Sequence, residues 1–407
     1  MRRNPLPSTA RETVKPGFAP EASRPRLKRG RLLCAIAMLA MSVAVSAAQP
    51  FVPSSDSQWL ADLPPGARHA PAAGRDLARS RLDVALPLAQ FYVRESRATG
   101  DLRYLGYAEG VLAHWREQQP VDAAVLVLEA TILQSRHAFS ESLALLDQAL
   151  TSRPTDAQAW LTRASVLRVL GRYEEARASC ARVANADAAV ATLCTDGVRA
   201  LTGQLQPAFQ SLLALPGDSL SGDARAWRAS QLGEMAVSLG DAPAAERWFR
   251  EALRISPDDL YSRAAYDDLL LASHRPREVL ALLHGYESME PMLLRLAIAQ
   301  RELNDPSLDS SKALLGNAFS VEEQRGDSVH RREQARFMLE VLGRPDDALK
   351  AALANWAMQR EPADALILLQ AAQAARQPMA AAPARDFVMT HALQDVRLHP
   401  YFGGSAS

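Results

Sequence analysis

Ser219 stands in the string Gly217-Asp218-Ser219-Leu220, a setting that raises the question of a nucleophile. Acyl transfer at a serine needs a base within hydrogen-bond reach and a third group that orients the base. The string lies between Pro216 and Gly222, and glycine and aspartate are ordinary turn formers, so it reads as a turn. The histidines are His69, His114, His137, His274, His284, His330, His391 and His399. No two share the i, i+4 spacing of a helical zinc site and no HExxH occurs, so no metal is expected. Three acidic pairs, Asp258-Asp259, Asp267-Asp268 and Asp346-Asp347, are the places to look for a general acid and base. The first and third precede apolar helical stretches, where aspartate caps free backbone donors and meets the positive end of the helix dipole. Asp268 differs, because helical phase turns it inward. No Walker-type or GxGxxG loop is present, so no nucleotide cofactor is expected.

Cysteine adds structure more than chemistry. Cys34 sits near the start of an apolar run, where lipid attachment is not expected. Cys180 and Cys194 lie 14 residues apart in the body with no CxxC between them, and an even pair in an exported chain predicts a disulfide. Export itself is read from the N-terminus. Arg24, Arg26, Lys28, Arg29 and Arg31 precede a weakly polar-to-apolar stretch from Leu32 to Ala48 that closes on small residues. Positive flank, short apolar core and small exit are the parts of a secretory signal. Cleavage after Ala47 or Ala48 fits; an uncleaved anchor facing the periplasm is the alternative, although the run is short for a span.

The net charge of zero hides an asymmetry. Residues 1–48 hold nine basic and two acidic side chains, leaving 37 basic and 44 acidic in the remainder. A mildly acidic body without a clustered basic face excludes a general nucleic-acid binder. Ala and Leu dominate and aromatics are 6%, a mix that favours helices over strands.

Residues 49–80 crowd Pro50, Pro53, Pro64, Pro65, Gly66, Pro71 and Gly74 and read as a linker. Beyond them one slot recurs: Gly100, His137, Gly171, Gly203, Gly240, His274, then Gly343 and Gln377, with Asn304–Ser307 filling the gap. Glycine suits a helix end in the left-handed conformation. Five residues on come Leu105, Ser142, Ala176, Ala208, Ala245, Val279, Ala348 and Ala382, mostly small enough for close helix approach. Seventeen residues on, Pro154, Pro257 and Pro291 stop the second helix. Self-similarity at a period near 34 predicts a solenoid. Neighbouring units of such an array must stack to bury their apolar faces, since one helix pair is marginal alone.

The clearest units run Ala157-Gln158-Ala159-Trp160, Leu167, Gly171-Arg172-Tyr173-Glu174-Glu175-Ala176, and Leu239-Gly240-Asp241, Ala244-Ala245, Ala252-Leu253 through Pro257. At these residues the chain resembles the tetratricopeptide repeat family over roughly 86–390. The resemblance implies an all-α, right-handed superhelical solenoid of about eight antiparallel helix pairs, spanning 81–395, with a flexible tail at 396–407. The unit near 284–325 keeps the pattern loosely, and Arg325-Gly326-Asp327 suggests a loop. The Ser219 string also resembles the nucleophile block of a family of serine esterases. Those enzymes carry it after the first strand of an α/β domain, whereas here it falls between two helical repeats.

In tetratricopeptide-type repeats the first helix of each pair lines the concave face and holds peptides or partner domains. Counting back from the turns places Thr131, Gln134, Gln158, Ser165, Arg168, Trp227, Glu234, Ser238, Tyr261 and Asp268 there. Arg168 and Trp227 are expected anchors, the arginine as a fork for a carboxylate. The expected function is a non-catalytic scaffold of the bacterial cell envelope, periplasmic, binding a protein or peptide without cofactor. The alternatives are an esterase using Ser219 or a permanent subunit of an envelope assembly.

Overall fold

Nine helix pairs follow one another from Leu82 to Thr390, against the expectation of about eight, and no strand occurs among the described residues. The computed structural model describes residues 77–325 and 330–402, all within the unit Ala67–Ser407. The signal segment 1–48, the linker up to residue 76, the Gly326-Asp327 loop and residues 403–407 lie outside the described residues. The pairs are α1 Leu82–Thr99 with α2 Arg103–Arg116, α3 Ala123–Ser135 with α4 Phe139–Ser152, and α5 Ala157–Val169 with α6 Tyr173–Val183. Then come α7 Ala188–Arg199 with α8 Leu205–Ala214, α9 Gly222–Leu239 with α10 Ala242–Ile255, and α11 Leu260–Ala272 with α12 Pro276–Leu282. The last three are α13 Glu290–Leu303 with α14 Leu308–Arg325, α15 Arg331–Arg336 with α16 Pro345–Met358, and α17 Pro362–Ala374 with α18 Ala382–Thr390. A π-helical turn, Phe337–Val341, extends α15.

Local chemistry sets these boundaries. Asp122, Asp156, Asp187, Asp241 and Asp259 each accept a hydrogen bond from a backbone N–H of the helix they precede. Asp346 and Asp347 lie in the first turn of α16. Every expected turn residue from Gly100 to Gly343 has positive φ, and so does Asn304. The ninth turn is at Arg376 rather than Gln377, so the buried small residue five positions on is Ala381. At the other turns, Leu105, Ser142, Ala176, Ala208, Ala245, Val279 and Ala348 are fully buried at that offset. Ser142 Oγ donates to the Ala130 carbonyl at 2.8 Å, tying α4 to α3. The loose unit is a complete pair, α13 with α14, turning at Asn304. Its period slips because α12 has only 7 residues and α14 has 18.

The turns do a second job. The C-terminal half of the chain lies against them in sequence order. A Cβ at Gly100 would meet Leu260, one at Gly171 would meet Phe387 and Arg360, one at Gly203 Ala392, and one at Gly240 Val396. Arg360 N–H donates to the Val169 carbonyl at 2.8 Å, and Leu205 N–H donates to Gln394 Oε1 at 3.1 Å. Phe387 sits at the centre of this seam, packed by Tyr173, Trp356 and His391. Residues 396–401, expected to be a flexible tail, instead form a 3-10 helix whose Leu398 is buried. The cause is this packing: Val396 seats on Gly240, and Tyr401 packs on the C-terminal core.

Cys180 on α6 and Cys194 on α7 are joined, with α-carbons 5.4 Å apart. The bridge links the third and fourth pairs. Stability comes from stacking. The largest core cluster runs from Leu193 through Phe249, Leu270 and Met292 to Phe337, with about 1.5–3 kcal/mol for each large side chain buried.

Candidate functional site

The first helices of the pairs, α5, α7, α9, α11, α13, α15 and α17, face one cavity of about 840 Å³. Leu393, Gln394 and Arg397, beyond α18, complete its wall. Apolar side chains such as Met235, Leu269, Met292 and Leu366 make up part of the lining. A volume of this size lies in the 300–1,000 Å³ range of sites that enclose a small ligand or a few residues of a peptide.

Charged side chains are the other part. Asp268 is held by Arg295 at 2.6 Å and Arg336 at 2.8 Å. Burial would raise its carboxyl, but these two guanidinium groups outweigh it and hold it below the usual range. Arg336 also reaches Glu340 at 2.7 Å, on the π-helical turn. Glu361 pairs with Arg332 at 3.2 Å and faces Arg168 at 3.6 Å. Arg332 also lies 3.4 Å from Asp364, which is fully buried and accepts from Asn355 and Gln359. Arg397 forks onto Asp395. Glu234 accepts the hydroxyl hydrogen of Tyr261. Burial pushes the Glu234 carboxyl up, with Arg168 working against it. Tyr261 exposes 51% of its surface and lines the cavity wall. Loss of water around its hydroxyl inside the cavity, and next the Glu234 charge, push its phenol above the ordinary value.

Of the expected groove residues, Arg168, Glu234, Ser238, Tyr261 and Asp268 meet at this cavity. Thr131, Gln134, Gln158, Ser165 and Trp227 are not part of its wall. Thr131 Oγ1 donates to the Val127 carbonyl within α3, Gln134 donates to Ser165 across α3 and α5, and Gln158 donates to Thr162. Trp227 is partly exposed and reaches the cavity only through Gln231, whose amide oxygen accepts its indole N–H at 2.7 Å. Arg168 is not a free fork, because Glu361 already stands beside it. The physical reason for both differences is the same. The C-terminal pairs sit across the earlier repeats and bring their own charges to them. Arg295, Arg332, Glu333, Arg336, Glu340, Glu361 and Arg397 were missed by counting back from the turns. The only sequence signal was the dense charge of Arg331-Arg332-Glu333 beside a unit that kept the period poorly.

The other chemical groups are placed as follows. Ser219 lies in an exposed 3-10 turn between α8 and α9 and donates its hydroxyl hydrogen to the Pro216 carbonyl at 2.6 Å. His330 Nδ1 lies 2.6 Å from Glu322 and 3.1 Å from Glu290. Burial opposes charge on this ring, but the hydrogen bonds to Glu290 and Glu322 outweigh it and raise its pKa to about 11. The two carboxylates thus favour the protonated form of this partly buried ring. His137, in a turn of the seam, goes the other way: burial, and next the charge of Arg332, push it down to about 4. No helix among the described residues is long and apolar enough to cross a membrane.

No family model matches the chain, and no curated protein matches it. Solved structures do. A crystal structure of the APC/C hetero-tetramer Cut9–Hcn1 is 16% identical with a TM-score of 0.40, and covers 73% of this chain. This chain spans 58% of the length of that one. Pseudomonas aeruginosa PilF is 17% identical with a TM-score of 0.28, covering 61% of this chain and 94% of its own. The tetratricopeptide domain of P58(IPK) is 13% identical with a TM-score of 0.20, covering 72% and 98%. At such identities the likeness concerns the fold alone, and the solenoid stands on this chain's own helix pairing and turn spacing. Over the described residues the chain is an all-α array of antiparallel helix pairs with a repeating turn.

Proposed function

We propose that this protein is a non-catalytic interaction module of the bacterial cell envelope that holds a short segment of a partner protein in its central cavity. The observation that carries the reading is the cavity itself: about 840 Å³, apolar in part, and faced by the first helices of seven consecutive pairs. Such concave sites, with few placed polar groups, hold ligands by burial and orient them by the charges. The polar groups here are tied into ion pairs rather than arranged as nucleophile and base, which favours binding over catalysis. The periplasmic setting rests on the N-terminal pattern and on the Cys180–Cys194 bridge, which an oxidising compartment maintains.

The test begins with capture of a partner from the native envelope fraction. Ala265 lines the cavity, whereas Ala178 is exposed on α6, a second helix. Ala265→Trp fills the cavity and is expected to weaken the captured complex roughly thirty-fold, a change of about 2 kcal/mol. Ala178→Trp is expected to leave it unchanged. The reverse pattern would place the partner on the convex face and end this reading. The export reading is checked separately by the intact mass of the exported protein, expected to begin at Ala48 or Gln49; a mass retaining residues 32–47 would mean an anchor.

A further inference from the structure

We infer that the segment held in the cavity presents a cation, a lysine or arginine side chain, to Glu234 and Tyr261. This rests on the binding role proposed above and names what the cavity reads. The argument is the balance of partners. Each of the five arginines in the wall, Arg168, Arg295, Arg332, Arg336 and Arg397, has a carboxylate within 4.0 Å. The carboxylates of Asp268, Glu333, Glu340 and Glu361 are matched in turn. Two are not: among the described residues no arginine, lysine or histidine nitrogen lies within 4.0 Å of Glu234 or Glu302. Glu302 is exposed, so water screens it. Glu234 is partly buried on α9 and accepts one hydrogen bond, from the Tyr261 hydroxyl, which leaves its second oxygen without a protein donor.

Among the described residues the cavity thus has no guanidinium without a carboxylate within 4.0 Å, and one partly buried carboxylate, Glu234, without a cation in that range. A carboxylate taken out of water costs free energy unless a charge or donor is brought to it. An incoming ammonium or guanidinium supplies that, with N–H donated to the open oxygen of Glu234. The half-exposed ring of Tyr261 adds an aromatic face beside the same carboxylate, and cations are drawn to such faces. The aliphatic stem of a lysine or arginine suits the apolar wall of Met235, Leu260 and Leu269. Arg168 and Arg397 act on Glu234 from beyond ion-pair range; Arg397 forks onto Asp395, and Arg168 shares Glu361 with Arg332. The chemistry is therefore the inverse of the carboxylate fork that the sequence suggested for Arg168.

Capped tetrapeptides that differ at one position, carrying arginine, lysine, norleucine or glutamate, test this by calorimetric titration into the purified exported chain. Arginine or lysine is expected to bind about tenfold tighter than norleucine, as a charge-assisted hydrogen bond provides. Glu234→Gln, which keeps shape and one acceptor, should abolish that preference, so that the arginine and lysine peptides bind no tighter than the norleucine peptide. Tyr261→Phe should reduce it in part. Ala178→Trp, at an exposed position on α6 outside the cavity wall, should preserve it. Tighter binding of the glutamate peptide, equal binding of all four, no binding at millimolar peptide, or a preference lost with Ala178→Trp and not with Glu234→Gln would each overturn the proposal. A captured partner that Ala265→Trp releases but whose segment is acidic would overturn this inference and leave the binding role standing.

Discussion

The turn seam and the central cavity are products of the same helix pairs, yet they are built in opposite ways. At the seam, four of the turn residues that recur every 30 to 39 positions, Gly100, Gly171, Gly203 and Gly240, present bare backbone, and the C-terminal half closes on them. At the cavity, long charged side chains from α5, α9, α11, α13 and α15 meet those of Glu340, Glu361 and Arg397, at positions that no repeat spacing announces. The seam is made by what is absent from a residue, the cavity by what is carried at its far end. Backbone conformation and small size recur with the repeat, because each unit needs them to pack on its neighbour. Charge partners do not, because they are set by which helix the superhelix brings opposite.

The largest effect should come from breaking the seam at its centre. Gly171 has φ +74°, and a Cβ there would lie 2.6 Å from a ring carbon of Phe387. Gly171→Ala is expected to cost about 4 kcal/mol, adding left-handed strain to overpacking. Gly343 has φ +65° but nothing within 4 Å, so Gly343→Ala should cost only about 1 kcal/mol. Urea unfolding of the two variants separates conformation from contact; equal losses would mean that the seam is not tightly closed.

The disulfide sharpens the comparison next, since it joins the two pairs whose turns, at Gly171 and Gly203, receive Phe387 and Ala392. In the chain-entropy account, closing a loop of 14 residues is worth about 3 kcal/mol. Cys180→Ser with Cys194→Ser should lower the unfolding midpoint accordingly. It should leave peptide binding to the cavity unchanged, because neither cysteine lines it. Loss of binding in this variant would show that seam and cavity are coupled.

The smallest effect lies behind the cavity wall. Asp267 is fully buried on α11, and neither carboxylate oxygen has a hydrogen-bond partner. Burial, opposed by Arg295, raises its carboxyl to about 7. A raised folded-state pKa favours the protonated form, so stability is fully present below the ordinary value near 3.8 and is lost as pH rises to about 7. Asp267→Asn should therefore be more stable than the parent at pH 8, on the order of 2 kcal/mol, with the difference vanishing near pH 4. A constant difference across that range in thermal unfolding would contradict the titration.

Much of the fold was written in the sequence. Glycine, histidine or asparagine at eight of the nine turns, a buried residue five places on at most of them and aspartate at several helix starts are local requirements, met one residue at a time. They gave the turns to within a residue and the pairing of helices. The groove was legible only in part, for a physical reason. Helical phase tells which side of α9 or α11 bears Glu234, Tyr261 and Asp268, since that depends on residues a few positions away. It does not tell what stands opposite them. That was decided by the closing of the C-terminal pairs onto the turns, which set Glu361 beside Arg168, turned 396–401 from a tail into a wall, and left Glu234 without a cation. Contacts between residues more than a hundred positions apart depend on the small rotation between every successive pair. The sequence fixes each of those rotations through packing, and only the folded chain sums them.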